Sequence, residues 1–390
     1  MRKAALLFLL AVFAFAQNKA LQEGEAYFQT KSYQKAINSF LQVISKGGWD
    51  EDIAKATLRI AQCYLALEDV KNARKYFETA TKDKGETGFQ AKLGLALCDI
   101  QEEKYDSAID SLTELINKKP PDKILAYAYY NRGIAYERKG WMVQAIEDFG
   151  EAIKKGDEAL ISSAQAHLTT CHSRYEQFQE EEKNYLQRIK QSQRADEIRD
   201  LYHELARKCA NIGEIDKGIE YEIRSLDYSY NDETYNAGAW MNIAWRYVMK
   251  KDYAKAAEAF QKVANDYPHS EYSPEALLRA GDMFSKAGKM DEAIKAYQDF
   301  VDKYPNDPRV PSALMNIAWR YSDKKDYAKS AETFRKVADK YPNSEVAKEA
   351  LLRAGDMFSK AGKMDEAIRA YQDFVDKYPN DPQVPSALKN

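Results

Sequence analysis

Residues 241–314 and 315–388 are almost the same sequence: aligned at a spacing of 74 they match at 61 positions. A looser period of 37 runs inside each copy, with Tyr267-Pro268, Tyr304-Pro305, Tyr341-Pro342 and Tyr378-Pro379 at corresponding places. A fixed period of this length marks a stacked-repeat architecture, in which each unit buries its apolar face only against its neighbours. The 390 residues are too many for one ordinary core but natural for such a stack. With 17 Gly, 11 Pro and no long Pro-, Ser- or Gly-rich tract, nothing reads as a flexible linker, so the stacking is expected to be continuous. A hydrophobic content of 45% and a charged content of 31% place the chain among folded proteins rather than disordered ones.

One unit shows the internal grammar clearly. Gly133, Tyr136, Gly140, Ala145, Phe149 and Ala152 are spaced as two amphipathic helices joined by a turn at Gly140. Small residues fall where two helix backbones approach, and aromatics fill the space beside them. This pattern resembles the tetratricopeptide repeat. Gly24, Tyr27, Ala36 and Phe40 fit it, as do Ala61, Tyr64, Ala73, Phe77 and Ala80. Ala96, Ala108, Leu112 and Pro120 fit more loosely, and Ala206, Cys209, Gly213 and Gly218 form a degenerate copy. Ala244, Tyr247, Ala256, Phe260 and Pro268 fit well, followed by Gly281, Phe284, Gly288, Ala293, Tyr297 and Pro305. Ala318, Tyr321, Phe334 and Pro342, then Gly355, Phe358, Gly362, Ala367, Tyr371 and Pro379, repeat those two units. The resemblance implies an all-α fold, an α-solenoid of about ten helix-turn-helix units forming a curved superhelix.

The chain divides by pattern into residues 17–155, an N-terminal array; 156–235, irregular or degenerate helical repeats; and 236–390, a C-terminal array with the duplication. Residues 156–200 lack the Gly/Ala-Tyr signature and carry Glu180, Glu181 and Glu182, which reads as an irregular helix pair. In the C-terminal array Asp307 and Ser273 are expected to cap the helix starts that carry Pro308, Pro311 and Pro274. These Tyr-Pro-Asn-Asp-Pro junctions are similar in style to those of bacterial cell-envelope repeat proteins of the barrel-assembly and Tol–Pal systems.

The first 16 residues stand apart. Arg2 and Lys3 precede an unbroken apolar run from Ala4 to Ala16, and Ala14-Phe15-Ala16 reads as a cleavage site. This is the pattern of a secretory signal peptide, and its 13 apolar residues fall short of the ~20 that a spanning helix needs. The expected mature protein is periplasmic or extracellular, without a lipid-anchor Cys and without a transmembrane span. Loss of Arg2 and Lys3 leaves 56 cations against 61 acids, which offers no basic surface for nucleic acid. The four cysteines, Cys63, Cys98, Cys171 and Cys209, lie among apolar neighbours and are expected to be buried. Cys63 and Cys98 occupy matching places in adjacent units and are the only pair worth testing for a disulfide.

The resemblance also implies where a partner binds: on the first helix of each unit, at the positions three before and one after the Gly/Ala. These are Tyr130, Ile134, Met241, Trp245, Leu278, Asp282, Met315, Trp319, Leu352 and Asp356. Trp and Met side chains make adaptable anchors for a protein segment, and the two Asp could hold a basic group. The competing reading assigns the Trp residues to packing between repeats and the Asp residues to solvated helix faces. Trp240 is read as structural.

Chemistry is sparse. The four histidines, His167, His172, His203 and His269, form no H-E-x-x-H, and His172 with Glu176 is no zinc site. The string from Gly281 to Lys289 has six residues between its glycines where a phosphate loop has four. No catalysis, cofactor, metal or small-molecule substrate is expected. The sequence therefore points to a non-catalytic scaffold for a protein or peptide of the cell envelope. Self-association through the repeats and binding of an envelope glycan are the alternatives.

Overall fold

A computed structural model describes residues 19–47, 50–230 and 232–387. The apolar leader, residues 1–16, lies outside the described residues. Among those described, every regular element is an α-helix. They fall into two compact units, one running through Lys183 and including Asn211–Glu214, the other comprising Asn184–Ala210 and the chain from Ile215.

The first unit holds α1 (19–29), α2 (Tyr33–Lys46), α3 (Asp50–Ala66), α4 (Val70–Ala80), α5 (Glu86–Gln101), α6 (Tyr105–Asn117), α7 (Asp122–Lys139), α8 (Met142–Lys155) and most of α9 (Glu158–Gln191). From α2 to α8 each helix packs on the next, and the first helices α3, α5 and α7 also touch one another. The second unit holds most of α10 (Ala195–Ile212), then α11 (Ile215–Leu226), α12 (Glu233–Met249), α13 (Tyr253–Asp266), α14 (Ser273–Lys286), α15 (Met290–Lys303), α16 (Val310–Asp323), α17 (Tyr327–Lys340), α18 (Ala347–Lys360), α19 (Met364–Lys377) and the single turn α20 (Val384–Ala387). Here too, from α11 onward, the helices pack in chain order. This is α-solenoid architecture.

Small-against-aromatic packing recurs through both units. A Cβ added to Gly24, Gly133, Gly281 or Gly355 would lie 2.5–2.8 Å from the ring of Phe40, Phe149, Tyr297 or Tyr371 on the paired helix. Glycine at these places lets the ring lie flat against the first helix. Phe40, Phe149, Phe260, Phe334 and Tyr297 are all fully buried, each contributing ~1.5–3 kcal/mol of burial. The turn after the first helix takes a left-handed residue. Gly140, Gly213, Gly288 and Gly362 fill it with φ of 75–94°, while Lys31, Glu68, Glu103, Lys251 and Lys325 adopt φ of 56–62° at the same place.

Three expectations are corrected. The stretch from 158 to 191 is one helix of 34 residues, not an irregular pair. It contains neither Gly nor Pro, so nothing in it breaks the backbone hydrogen-bond ladder. Nine helix pairs and this lone helix therefore fill the described residues ahead of α20. Asp307 does not cap α16, and Ser273 does not cap α14: the cap positions are Arg309 and Tyr272, neither with a side-chain cap bond. Asp307 instead accepts from the Arg309 N–H at 2.9 Å and pairs with its guanidinium, organising the turn before the helix. Ser273 accepts from the Tyr304 hydroxyl at 2.9 Å. Side-chain caps form instead at Asp69, Asp232, Asp252 and Asp326, each accepting the N–H three residues on.

All four cysteines are buried and none is in a disulfide. Burial pushes the Cys63 and Cys171 thiols up to about 12 and Cys98 up to about 11.

Candidate functional site

In the first unit α3, α5 and α7 lie side by side and enclose a cavity of about 710 Å³. Its wall is apolar: Leu65 and Ala66 come from α3, Leu93, Leu97 and Ile100 from α5, Ile124 and Tyr127 from α7. Gly94 admits the Phe77 ring of α4 at its base, since a Cβ there would come within 2.2 Å of that ring. Amides and charges ring the mouth. Arg59 is held by Glu25 at 2.8 Å, donates to Gln62 at 2.9 Å and lies over the Phe28 ring. Gln90 donates to Glu86 at 2.9 Å. Lys123 is only loosely paired with Asp157, at 3.8 Å, and its side chain is 75% exposed. An apolar hollow of this size with an amide-rich rim accepts a few aliphatic or aromatic side chains while hydrogen-bonding the chain that carries them.

None of the ten residues singled out from the sequence lines this cavity. Yet the same offsets, three before and one after the small residue, applied to Ala61 and Ala96 name Leu58, Gln62, Leu93 and Leu97, of which all but the buried Leu58 line it. The signal was in the sequence, at positions whose side chains are ordinary for a helix face.

Tyr130 and Ile134 are half-buried in the cluster that α7 and α8 form with α9. The His167 ring of α9 stacks on Phe149 at 5.3 Å and meets Tyr130 at 5.9 Å, while its Nδ1 lies 2.7 Å from Glu137. The long helix thus packs directly on Tyr130, and Ile134 is packed against the cluster that α8 and α9 form.

In the second unit Met241, Met315 and Leu352 have only 8, 5 and 8% of their surface accessible, and Leu278 is half-buried. Trp245, 40% exposed, rests edge-on against Phe260 at 5.2 Å, and Arg279 of α14 lies over its ring at 5.5 Å. Trp319 repeats this with Phe334 at 5.0 Å and Arg353 at 5.6 Å. Asp282 is engaged from two sides: the Tyr297 hydroxyl donates to it at 2.6 Å, and Arg279 approaches to 3.5 Å. Asp356 does the same with Tyr371 at 2.8 Å and Arg353 at 3.2 Å. Burial, then the Asp282 carboxylate, holds the Tyr297 phenol well above its ordinary range. The Tyr–Asp bonds and the Arg–Trp contacts join neighbouring helices, so both Asp residues and the buried faces of both Trp residues contribute to packing. Trp240 is half-buried under the Lys262 ammonium, 5.0 Å from its ring.

The two copies differ in their tethers. Arg309 reaches back to Glu275 at 2.6 Å, whereas its counterpart is Gln383. There Lys348, replacing Pro274, pairs with Asp381 at 2.7 Å. Different charges thus tie the same seam between successive helix pairs.

Among the described residues no group of three or more His, Cys, Asp and Glu side chains is placed to hold a metal, and no helix is long and apolar enough to cross a membrane.

Comparison with known families matches profiles described as tetratricopeptide repeat at residues 21–88, 58–123, 126–154, 239–270, 275–307, 312–344 and 349–381. A search of curated proteins found no match. Similar solved structures include YrrB, described as a TPR protein with an unusual peptide-binding site, at 17% identity over 49% of this chain and 91% of that one, with a TM-score of 0.34. The MamA protein is similar at 18% identity over 47% of this chain and 93% of that one, with a TM-score of 0.35. The C-terminal part of a TPR repeat-containing protein from Cytophaga hutchinsonii is similar at 12% identity over 76% and 100%, with a TM-score of 0.38.

Proposed function

The chain belongs to the tetratricopeptide repeat family, and from that premise we propose that it is an exported, non-catalytic scaffold of the cell envelope that captures a protein segment along its first helices. The observation that carries this reading is the apolar cavity of about 710 Å³ between α3, α5 and α7. Three side chains of one α5 face, Leu93, Leu97 and Ile100, give a partner segment an aliphatic floor. The rim glutamines supply both donors and acceptors, as an extended backbone requires. In the second unit the exposed edges of Trp245 and Trp319 are secondary contacts. Their free surface is small, and Arg279 and Arg353 already occupy one side of each ring.

Export rests on the leader: cleavage after Ala16 delivers the repeats to the periplasm or the exterior without a lipid anchor. Two stations of near-identical geometry suit a surface that gains affinity by area and repetition rather than by one positioned reactive group.

The test is photocrosslinking in the native envelope from a probe amino acid at Leu97, with Leu93→Glu as the comparison. A charge in the apolar floor costs a bound aliphatic anchor ~2 kcal/mol or more, so capture should fall at least tenfold with helicity unchanged. Capture that survives Leu93→Glu at wild-type level defeats the cavity assignment. Protein recovered wholly in the cytoplasm with its leader intact defeats export.

A further inference from the structure

Where α10, α11 and α12 meet in the second unit, charge is buried. Glu222 of α11 has no accessible surface. Its Oε1 lies 2.8 Å from Nδ1 of His203 on α10, and Asn242 of α12 donates to the same oxygen at 3.3 Å. Arg246 of α12, 6% exposed, brings a guanidinium nitrogen within 2.9 Å of Oε2. That approach is an ion-pair distance, but it is too oblique for a directed hydrogen bond. A carboxylate so deeply buried is costly unless it is compensated, and here one cation is permanent and the other titratable.

We propose that the His203–Glu222–Arg246 cluster is a pH-responsive clasp, which holds α10 on the α11–α12 pair while His203 is protonated and slackens as pH rises through the His203 titration. The groups that face His203 come from every helix of the seam. Glu222 on α11 draws the imidazolium in. Arg246 on α12 repels it, Asp200 on its own helix attracts it, and the Tyr235 ring of α12 meets it edge-on at 6.1 Å. The hydrogen bond to Glu222 is the largest influence and raises the His203 pKa, overcoming the opposing cost of burial. A histidine raised above its unfolded value of about 6.5 stabilises fully below that pH, and the contribution is lost as pH rises through the folded value. The response is graded. Neutral imidazole can still donate from Nδ1, but the bond loses its charge assistance, and Arg246 still balances Glu222.

The experiment follows backbone amide hydrogen exchange of the full chain from pH 5.5 to 8.5, corrected for the intrinsic rate, in wild type and His203→Gln. Glutamine keeps a neutral donor to Glu222 and removes the titration. In wild type, α10 amides should lose protection as pH rises, while α17–α19 stay flat. In His203→Gln the α10 profile should be flat as well. The same samples report the His203 titration by NMR, one of only four histidines. The opening constant of α10 should change tenfold for each pH unit by which that pKa exceeds about 6.5. A His203 pKa at or below 6.5, a pH-independent α10 in wild type, or an equal pH response in the variant overturns the proposal. If the variant does not fold, the wild-type titration and exchange profile decide it.

Discussion

Gly281→Ala puts the small-against-aromatic packing to a direct test. The added Cβ would sit 2.6 Å from the Tyr297 ring, where ordinary contact begins at 3.4 Å, so the ring must retreat by about 0.8 Å. It has nowhere free to go, being 1% exposed, and its hydroxyl is fixed to Asp282 at 2.6 Å. Overpacking of this kind costs ~1–3 kcal/mol, and disturbing a hydrogen bond to a charged group adds up to ~1.5–3 kcal/mol. Alanine returns ~1 kcal/mol of helix propensity. The net expectation is a local loss of about 2 kcal/mol, roughly thirtyfold in opening. Amide hydrogen exchange of α14 and α15 reads this locally, without assuming that a repeat array unfolds in two states. The chain carries its own control. In the neighbouring units Ala244 and Ala318 stand where Gly281 and Gly355 do, and the ring position is taken by Phe260 and Phe334, which have no hydroxyl anchor. Gly281→Ala with Tyr297→Phe should therefore recover at least ~1 kcal/mol of the loss, because the freed ring can shift. The reasoning is refuted if the single variant exchanges no faster than wild type, or if the second change makes it worse.

Two further outcomes follow from buried groups. Arg132→Ala leaves Asp148, 4% exposed and held by two guanidinium contacts of 2.7 and 2.8 Å, without its cation; a loss of ~3–5 kcal/mol is expected in denaturant unfolding of the first unit, and a loss under ~1 kcal/mol contradicts it. Arg132→Met combined with Asp148→Leu should be far milder than the single change. The four thiols, buried and in three cases raised to about 11 or 12, should react with a thiol reagent only after unfolding, with identical counts under reducing and non-reducing conditions. Two missing thiols without reductant would reveal a disulfide, with Cys63–Cys98 the first pair to map.

Much of the fold was legible because repeat proteins write it locally. The 37-residue period, the Gly140 and Gly288 turns and the Gly–aromatic spacing each need only neighbouring residues to be meaningful. The candidate site was less legible. Trp245 and Asp282 stood out by type, but their partners, Arg279 and Tyr297, come from the next unit or the opposite helix, and those contacts decide how much surface remains. Met241 and Met315 match the family offsets yet are packed in. The Leu93–Leu97 floor obeys the same offsets but carried no conspicuous residue to draw attention. Likewise Glu180, Glu181 and Glu182 suggested irregularity, where the absence of Gly and Pro was the stronger fact.

By itself the sequence determined that helices form in pairs joined by tight turns, because periodicity and turn residues act over a few positions along the backbone. Only the tertiary structure decided which side chains stay open to a partner. Exposure depends on what the adjacent helix brings: Phe77 and Gly94 leave a hollow on α5, while α9 packs onto Tyr130. The same holds for the charge buried at Glu222, whose meaning appears only when His203 and Arg246, 19 and 24 positions away along the chain, arrive from two other helices.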